Sequence, residues 1–219
     1  MPTTMLGMLG VLLCALAVRA DVMPQADFDL QKVGGTWYLV GFATNADWFV
    51  SRKADMKMGT VTLTPQSNGD LEMDYSSLKS DGRCKKMNHL AKKTDTPGKF
   101  AYRSHRWGSD DDMRVVDVKY DEYAVFHAIK TKDGSSYIIN KLYSRTQDPS
   151  QAVLDKFTQF SLEQGVLRKN IAILPKSGQC VRTEASTHVS VHDINDQSAG
   201  VYTDECVCLS RCRTVLLNR

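Results

Sequence analysis

The sequence predicts an all-β protein: a closed barrel of about eight antiparallel strands, with one α-helix near its carboxyl end. Eight short runs of strand-forming residues, separated by turn residues, lie between residues 36 and 144. One amphipathic segment follows them, and a composition of 42% hydrophobic and 24% charged residues is that of a globular domain. A β-sandwich would fit the same spacing, but closure into a barrel removes the exposed sheet edges.

The predicted strands are short and are bounded by residues that favour turns. They read TWYLVGFAT, MGTVTLT, LEMDYSSL, KKMNHLAKK, KFAYRSH, MRVVDVKY, EYAVFHAIK and SYIINKLYS. Asp81-Gly82 and Asp133-Gly134 stand between such runs, and both residue types tolerate a positive φ, so each pair predicts a hairpin. The stretch from Gly108 to Asp112 marks another break, and its three aspartates are predicted to form a solvated loop tip rather than a calcium site, because they lack the alternating spacing that a calcium site requires.

One helix is predicted after the eighth strand. Asp148-Pro149-Ser150 provides a start and Gly165 an end. Between them one helical stripe carries apolar or small side chains that can pack on a barrel wall: Val153, Leu154, Phe157, Phe160 and Ser161. Residues 171–174 then predict a last short strand.

The amino-terminal segment predicts secretion. Leu6–Val18 is apolar but too short to span a bilayer, which takes about 20 residues. Ala20 completes a small-residue cleavage pattern before Asp21, so residues 1–20 are expected to be a signal peptide. An uncleaved anchor is the alternative, but Arg19 and Asp21 end the apolar run early. With no later run of this kind, we expect an extracellular protein without a membrane span.

The remaining composition excludes several function classes. A net charge of +3 without a basic stripe argues against a nucleic-acid partner. The sequence contains no G-x-S-x-G, phosphate-binding glycine loop or H-E-x-x-H, so no cofactor and no metal are expected. Residues 181–219 are predicted to be a polar, poorly ordered tail. Its His188, His192, Cys206, Cys208 and Cys212 lack the usual zinc spacing. We expect a monomer.

Three separated motifs carry a resemblance. Gly35-Thr36-Trp37 opens the first strand, VKYDEYAVF follows between residues 118 and 126, and Arg145 closes the eighth strand. This set resembles the lipocalin family, although Val118-Lys119-Tyr120 stands where Thr-Asp-Tyr is usual. The resemblance implies an eight-stranded up-and-down antiparallel barrel over residues 21–180 with the helix packed outside. Trp37 would then plug one end under Arg145, in a cation–π contact.

Two branches of the family share further segments with this chain. WYLVGFA, Tyr102-Arg103-Ser104, Trp107-Gly108-Ser109 and LYSRTQ resemble lipocalin-type prostaglandin D synthases. KTDTPGKF and YDEYA resemble the alpha-one-microglobulins. The resemblance extends from about Asp27 to Cys180, and it implies a disulfide between Cys84 and Cys180.

The chemistry of those branches depends on thiols that are absent at the matching positions. Prostaglandin D synthases of this type use one cysteine on the second strand, whose thiolate attacks a peroxide oxygen. Counting from Trp37 without a gap places that position at Gly59. The reactive cysteine of the alpha-one-microglobulins would fall near Ala46. Prostaglandin-H2 D-isomerase activity is therefore the weaker alternative to ligand binding, and a scavenging protein that acts through its tail thiols is a third.

A cavity is the feature that remains, since a barrel of about eight strands can hold one small ligand. The two-residue period of the eighth strand puts Lys141 on the same face as Arg145. Because Arg145 should meet Trp37 at the barrel floor, that face points inward and Lys141 lies in the lumen. The alpha-one-microglobulin resemblance also implies an interior lysine there. A lysine whose amine reaches out to water is the alternative.

Positions that match the family suggest an apolar lining, of which some members must instead pack outward under the helix. The candidates are Trp48, Met58, Val61, Leu63, Met73, Tyr102, Trp107, Met113, Phe126, Ile139 and Tyr143. Arg52 and Lys53 lie where a rim cation would meet a carboxylate, or where a loop charge would simply be solvated. Methionine-rich linings adapt to several ligand shapes. The sequence therefore predicts a secreted carrier of a small hydrophobic molecule, such as a retinoid or a fatty acid.

Overall fold

The structure is a computed structural model, and it describes residues 21–79, 81–178 and 180. The predicted signal peptide, residues 1–20, and the predicted tail, residues 181–219, lie outside the described residues.

The described chain forms nine strands and two α-helices. The strands are β1 Gly35–Thr44, β2 Gly59–Pro65, β3 Leu71–Leu78, β4 Cys84–Lys93, β5 Lys99–Ser104, β6 Ser109–Lys119, β7 Tyr123–Lys132, β8 Ser135–Ser144 and β9 Ile171–Ile173. The helices are α1 Trp48–Arg52, which continues into a 3₁₀ turn at Lys53–Asp55, and α2 Gln151–Glu163; a second 3₁₀ turn, Arg168–Asn170, precedes β9.

The sheet closes on itself. Each strand from β1 to β8 pairs antiparallel with the next, and β1 pairs with both β2 and β8. β9 adds to β1 at Gly41–Ala43, beyond the five positions that β2 covers. This is the predicted eight-stranded up-and-down barrel with one helix after it, and the short last strand is present as well.

Buried apolar side chains fill the barrel interior near one end, and we call this group the inner cluster. Its buried members are Val33, Trp37, Val61, Leu63, Leu71, Met73, Ala91, Phe100, Met113, Val115, Val118, Ala124, Phe126, Ala128 and Tyr143. Their alternation along the strands identifies which face of each strand points inward.

Trp37 and Arg145 close one end of the barrel. The Trp37 indole is fully buried and donates to the Val33 carbonyl at 2.8 Å. The Arg145 guanidinium lies 3.6 Å from the centre of that ring and donates to three backbone carbonyls, those of Gly34, Thr36 and Tyr120. A planar cation that is stacked and hydrogen-bonded in this way holds the β1 and β8 ends together.

A second apolar cluster joins the outer wall to α2. Val153 and Phe157 are its buried helix members, as the predicted stripe requires. Gly41 of β1 permits this close approach, because a Cβ there would lie 2.8 Å from the Phe157 ring. α2 therefore covers the barrel from outside.

The predicted solvated tip at Gly108–Asp112 is wrong for Asp111, although Asp110 is exposed as predicted. β6 already begins at Ser109, and the turn is confined to residues 105–108. Asp111 is 3% exposed, since the two-residue period of β6 directs it to the same face as Met113.

The predicted disulfide is confirmed. Cys84 at the start of β4 is bonded to Cys180, with the Cα atoms 5.7 Å apart. In the part of the chain that the structure describes, no helix has the length and apolar character to cross a membrane.

Candidate ligand-binding site

The inner face of the barrel turns polar toward the open end, which α1 and the β3–β4, β5–β6 and β7–β8 turns surround. We call this group of side chains the polar ring: Tyr75, His89, Tyr102, Asp111, Lys130, Lys141 and Tyr143. Strand alternation places them inside. Some belong to the inner cluster or pack against it, and the others lie on the same strand an even number of positions from one of its members, which puts them on the same face.

A buried ion pair crosses from β6 to β7 near the mouth. The Lys130 ammonium lies 2.7 and 3.0 Å from the two carboxylate oxygens of Asp111. Tyr102 and Ser109 also donate to this carboxylate, each at 3.3 Å. Asp111 therefore receives four hydrogen bonds, and the charge of Lys130 is neutralised inside the barrel.

Lys141 lies deeper and has a different environment. It is partly buried on β8, and its ammonium is 3.4 Å from the Tyr75 hydroxyl and 4.8 Å from the centre of that ring. No carboxylate pairs with it among the residues that the structure describes. Its charge is therefore available to an anion.

Two buried hydroxyls in the interior lack a well-formed hydrogen bond. Tyr143 and Ser104 are each 1% exposed, and neither hydroxyl makes a well-formed hydrogen bond within the described chain, although the Tyr75 hydroxyl interacts with that of Tyr143. A buried polar group without a partner costs free energy, so these hydroxyls point to a bound polar atom or water. Burial, with Tyr75 and Tyr102 nearby, raises the pKa of Tyr143 and keeps its phenol protonated as a donor.

His89 lies against the rings of its neighbours on the inner face. Its ring centre is 5.0 Å from that of Tyr102 and 5.8 Å from that of Tyr75. Burial lowers the pKa of His89 and the charge of Lys141 lowers it further, while Asp111 acts in the opposite direction. The imidazole is therefore neutral at pH 7, and it adds no charge to the interior.

The mouth combines an aromatic cover with a basic rim. Phe42 shares its face of the sheet with Lys141, its ladder partner, and Phe49 of α1 packs on Phe42 with ring centres 5.3 Å apart. At the start of β4, burial together with Arg106 and Lys79 lowers the pKa of Lys85. Closely spaced cations of this kind attract acidic ligands.

The structure brings seven of the eleven predicted lining residues together. Val61, Leu63, Met73, Met113, Phe126 and Tyr143 are buried in the inner cluster, and Tyr102 packs against it. Lys141 is on the same inner face. Ile139 is the ladder partner of the inner residue Ala128, although it packs against the second cluster.

Other predicted residues lie elsewhere. Met58 is buried in the second cluster, and the Lys53 ammonium donates to the carbonyls of Lys169 and Ile171. Trp48 and Trp107 are 43% and 45% exposed, on α1 and in the β5–β6 turn. Arg52 is exposed. These residues flank the barrel, because the loop after β1 forms a helix and the β5–β6 turn projects into solvent.

Sequence reasoning missed Tyr75, Asp111 and Lys130. A signal was present, since a two-residue period leads to them from Met73, Met113 and Phe126, which were predicted from positions that match the family. They were not predicted because a charged or phenolic side chain inside a barrel requires polar partners, and the pattern of one strand does not show which partners the other strands provide.

Gly59 opens β2 opposite Leu39. A Cβ at this position would lie 2.7 Å from the backbone oxygen of Ser76 and 3.2 Å from the Ser77 Cβ. The neighbouring strand therefore leaves little room for any side chain there. Within the described residues, no three His, Cys, Asp or Glu side chains form a group that could hold a metal ion.

Comparisons with known proteins agree with this architecture. Residues 34–178 match the model of the Lipocalin / cytosolic fatty-acid binding protein family. The chain is 43% identical over 171 residues to a lipocalin of Rhinella marina, a match that covers 78% of this chain and 93% of that protein. It is 35% identical over 182 residues to the prostaglandin-H2 D-isomerase of Felis catus, covering 83% and 94% of the two chains.

A solved structure of the siderocalin Ex-FABP, described as having dual ligand specificities, is also similar. It superposes with a TM-score of 0.59 at 31% identity and covers 67% of this chain and 96% of its own. Family model, relatives and fold agree, and the chain belongs to the lipocalin family.

Proposed function

We propose that this protein is a secreted carrier that binds one small hydrophobic molecule with an acidic end group, such as a retinoid acid or a fatty acid, inside the barrel. The observation that carries the proposal is the environment of Lys141. Its ammonium is partly buried on the inner face and contacts the Tyr75 phenol, and the buried Tyr143 hydroxyl, which has no well-formed hydrogen bond in the described chain, belongs to the same strand and face. A carboxylate there would gain an ion pair and a hydrogen bond.

Secretion is part of this proposal. The apolar segment before Asp21 and the disulfide between Cys84 and Cys180 both fit an oxidising, extracellular compartment. The basic rim around Lys85 would favour capture of an acidic lipid. We expect the carrier to act as a monomer, without a cofactor.

The test compares an acid with its alcohol. Replacing Lys141 with methionine keeps an unbranched side chain only one atom shorter and removes its charge. Retinoic acid should then bind about tenfold more weakly than it binds the wild type, since a charge-assisted hydrogen bond is lost, while retinol affinity should stay within about threefold. Binding is measured by quenching of protein fluorescence during titration with each retinoid.

Lys86→Met is the matched control, because Lys86 is exposed on the outer face of β4. It should leave both affinities unchanged. Equal losses for acid and alcohol in Lys141→Met would mean that burial of the apolar ligand body supplies the affinity and that Lys141 is not the partner.

Prostaglandin-H2 D-isomerase activity is the second candidate, and the resemblance to the enzyme of Felis catus favours it. The position that would supply the thiolate is Gly59, and Cys84 and Cys180 are bonded to each other. We therefore expect prostaglandin H2 turnover to stay near the uncatalysed rate that heat-inactivated protein gives. Thiol-sensitive product formation by the wild type would contradict this. Gly59→Cys is not a simple restoration, because its Cβ would collide with the Ser76 carbonyl.

A further inference from the structure

We propose that Asp111 is a charge-selectivity residue: it neutralises Lys130 from within the barrel, so that the site accepts ligands with one acidic end and discriminates against ligands with two. This inference rests on the proposed function. The polar ring contains two lysines, Lys130 and Lys141, and one aspartate, and only Lys141 keeps an unbalanced charge in the described interior.

The position of the ion pair supports this role. On the β7–β8 ladder Lys130 faces Tyr137, whereas Lys141 faces Phe126, four positions deeper. At about 3.3 Å per residue, the two lysines are separated by about 13 Å along the strands. A ligand whose acid group reaches Lys141 therefore passes the Asp111–Lys130 pair with the other end of its chain.

The chemistry of the pair makes it selective. Asp111 already accepts from Lys130, Tyr102 and Ser109, and it is 3% exposed. A second ligand carboxylate at this level would meet a like charge and a lysine that is already paired. Separating a buried charge from its partner is costly, so the pair should resist displacement. An apolar chain end or an uncharged polar end has no such conflict.

The neighbouring aspartate provides an internal comparison. Asp110 lies on the opposite face of β6, exposed, and its carboxylate pairs with Arg103 at 2.9 Å. Changes at Asp110 and Asp111 therefore remove the same charge from adjacent positions, one outside and one inside the barrel.

The experiment titrates three ligands of equal chain length, namely dodecanoic acid, ω-hydroxydodecanoic acid and dodecanedioic acid. The wild type should bind the diacid at least about tenfold more weakly than the monoacid, and the hydroxy acid should lie closer to the monoacid. Asp111→Asn should raise diacid affinity by about tenfold and change monoacid affinity by less than about threefold, because Lys130 becomes available. Asp110→Asn should behave as the wild type.

A second variant covers the possibility that Asp111→Asn, which leaves Lys130 buried and unpaired, fails to fold. Asp111→Asn/Lys130→Met removes both charges and should reduce the discrimination against the diacid without reversing it. Wild-type affinity that is equal for monoacid and diacid, or equal effects of Asp110→Asn and Asp111→Asn, would overturn the inference. Absence of binding by retinoic acid and dodecanoic acid alike would instead refute the proposed function.

Discussion

Replacing Cys84 and Cys180 with serine should lower the free energy of unfolding by about 4–5 kcal/mol. The bridge joins residues 96 positions apart, and in the chain-entropy model the stabilisation grows with the length of the loop that is closed. Urea unfolding followed by tryptophan fluorescence measures the change. The background should carry serine at Cys206, Cys208 and Cys212, so that no other thiol takes part in exchange.

That background protein with its bridge intact is the control, and it should unfold near the wild-type midpoint. A loss below about 1 kcal/mol would mean that the bridged segment is held by other contacts, or that the reduced chain keeps residual structure.

Replacing Phe157 with alanine should destabilise the fold by about 3–5 kcal/mol, the range for large-to-small changes in a tightly packed core. Phe157 is fully buried and is the α2 side chain that packs on Gly41. The cavity would open between the helix and the outer wall, because β1 cannot move inward without disturbing the inner cluster. Thermal and urea unfolding are the measurements.

Leu167→Ala is the matched control, since Leu167 is also apolar, follows the same helix and is 61% exposed. It should change the free energy of unfolding by less than about 0.5 kcal/mol. In Phe157→Ala, retinoid affinity below the unfolding transition should be preserved, because the helix lies outside the barrel. A comparable loss in both variants would show that α2 does not rely on this one anchor.

The two faces of the sheet have separate roles in these predictions. Outward residues such as Gly41 and Leu142 support α2, whereas Lys141, the neighbouring inward residue of β8, belongs to the site. Stability and ligand selectivity can therefore be changed independently. The five variants in the binding experiments should unfold near the wild-type midpoint, apart from any cost of unpairing Lys130.

Much of the fold was predictable because it depends on local pattern. Alternation along each run, Asp-Gly turns and the start and end residues of α2 each act within a few positions of the chain. The interior position of Lys141 followed from the same two-residue period, once Arg145 was taken to face Trp37. Lys53 and Met58 were harder, since the loop after β1 has no period to extend.

What the sequence by itself determined is the order of strands, the helix that follows and the inward face of the eighth strand, because these depend on spacing along one chain. What only the tertiary structure decided is which polar groups meet inside. The sequence predicts Asp111 in a solvated acidic loop, whereas β6 begins at Ser109 and places that carboxylate against Lys130 of β7. Which side chains pair between strands depends on the ladder register and on burial. A buried charge that meets an opposite charge forms an ion pair, and one that meets none is left to bind a ligand.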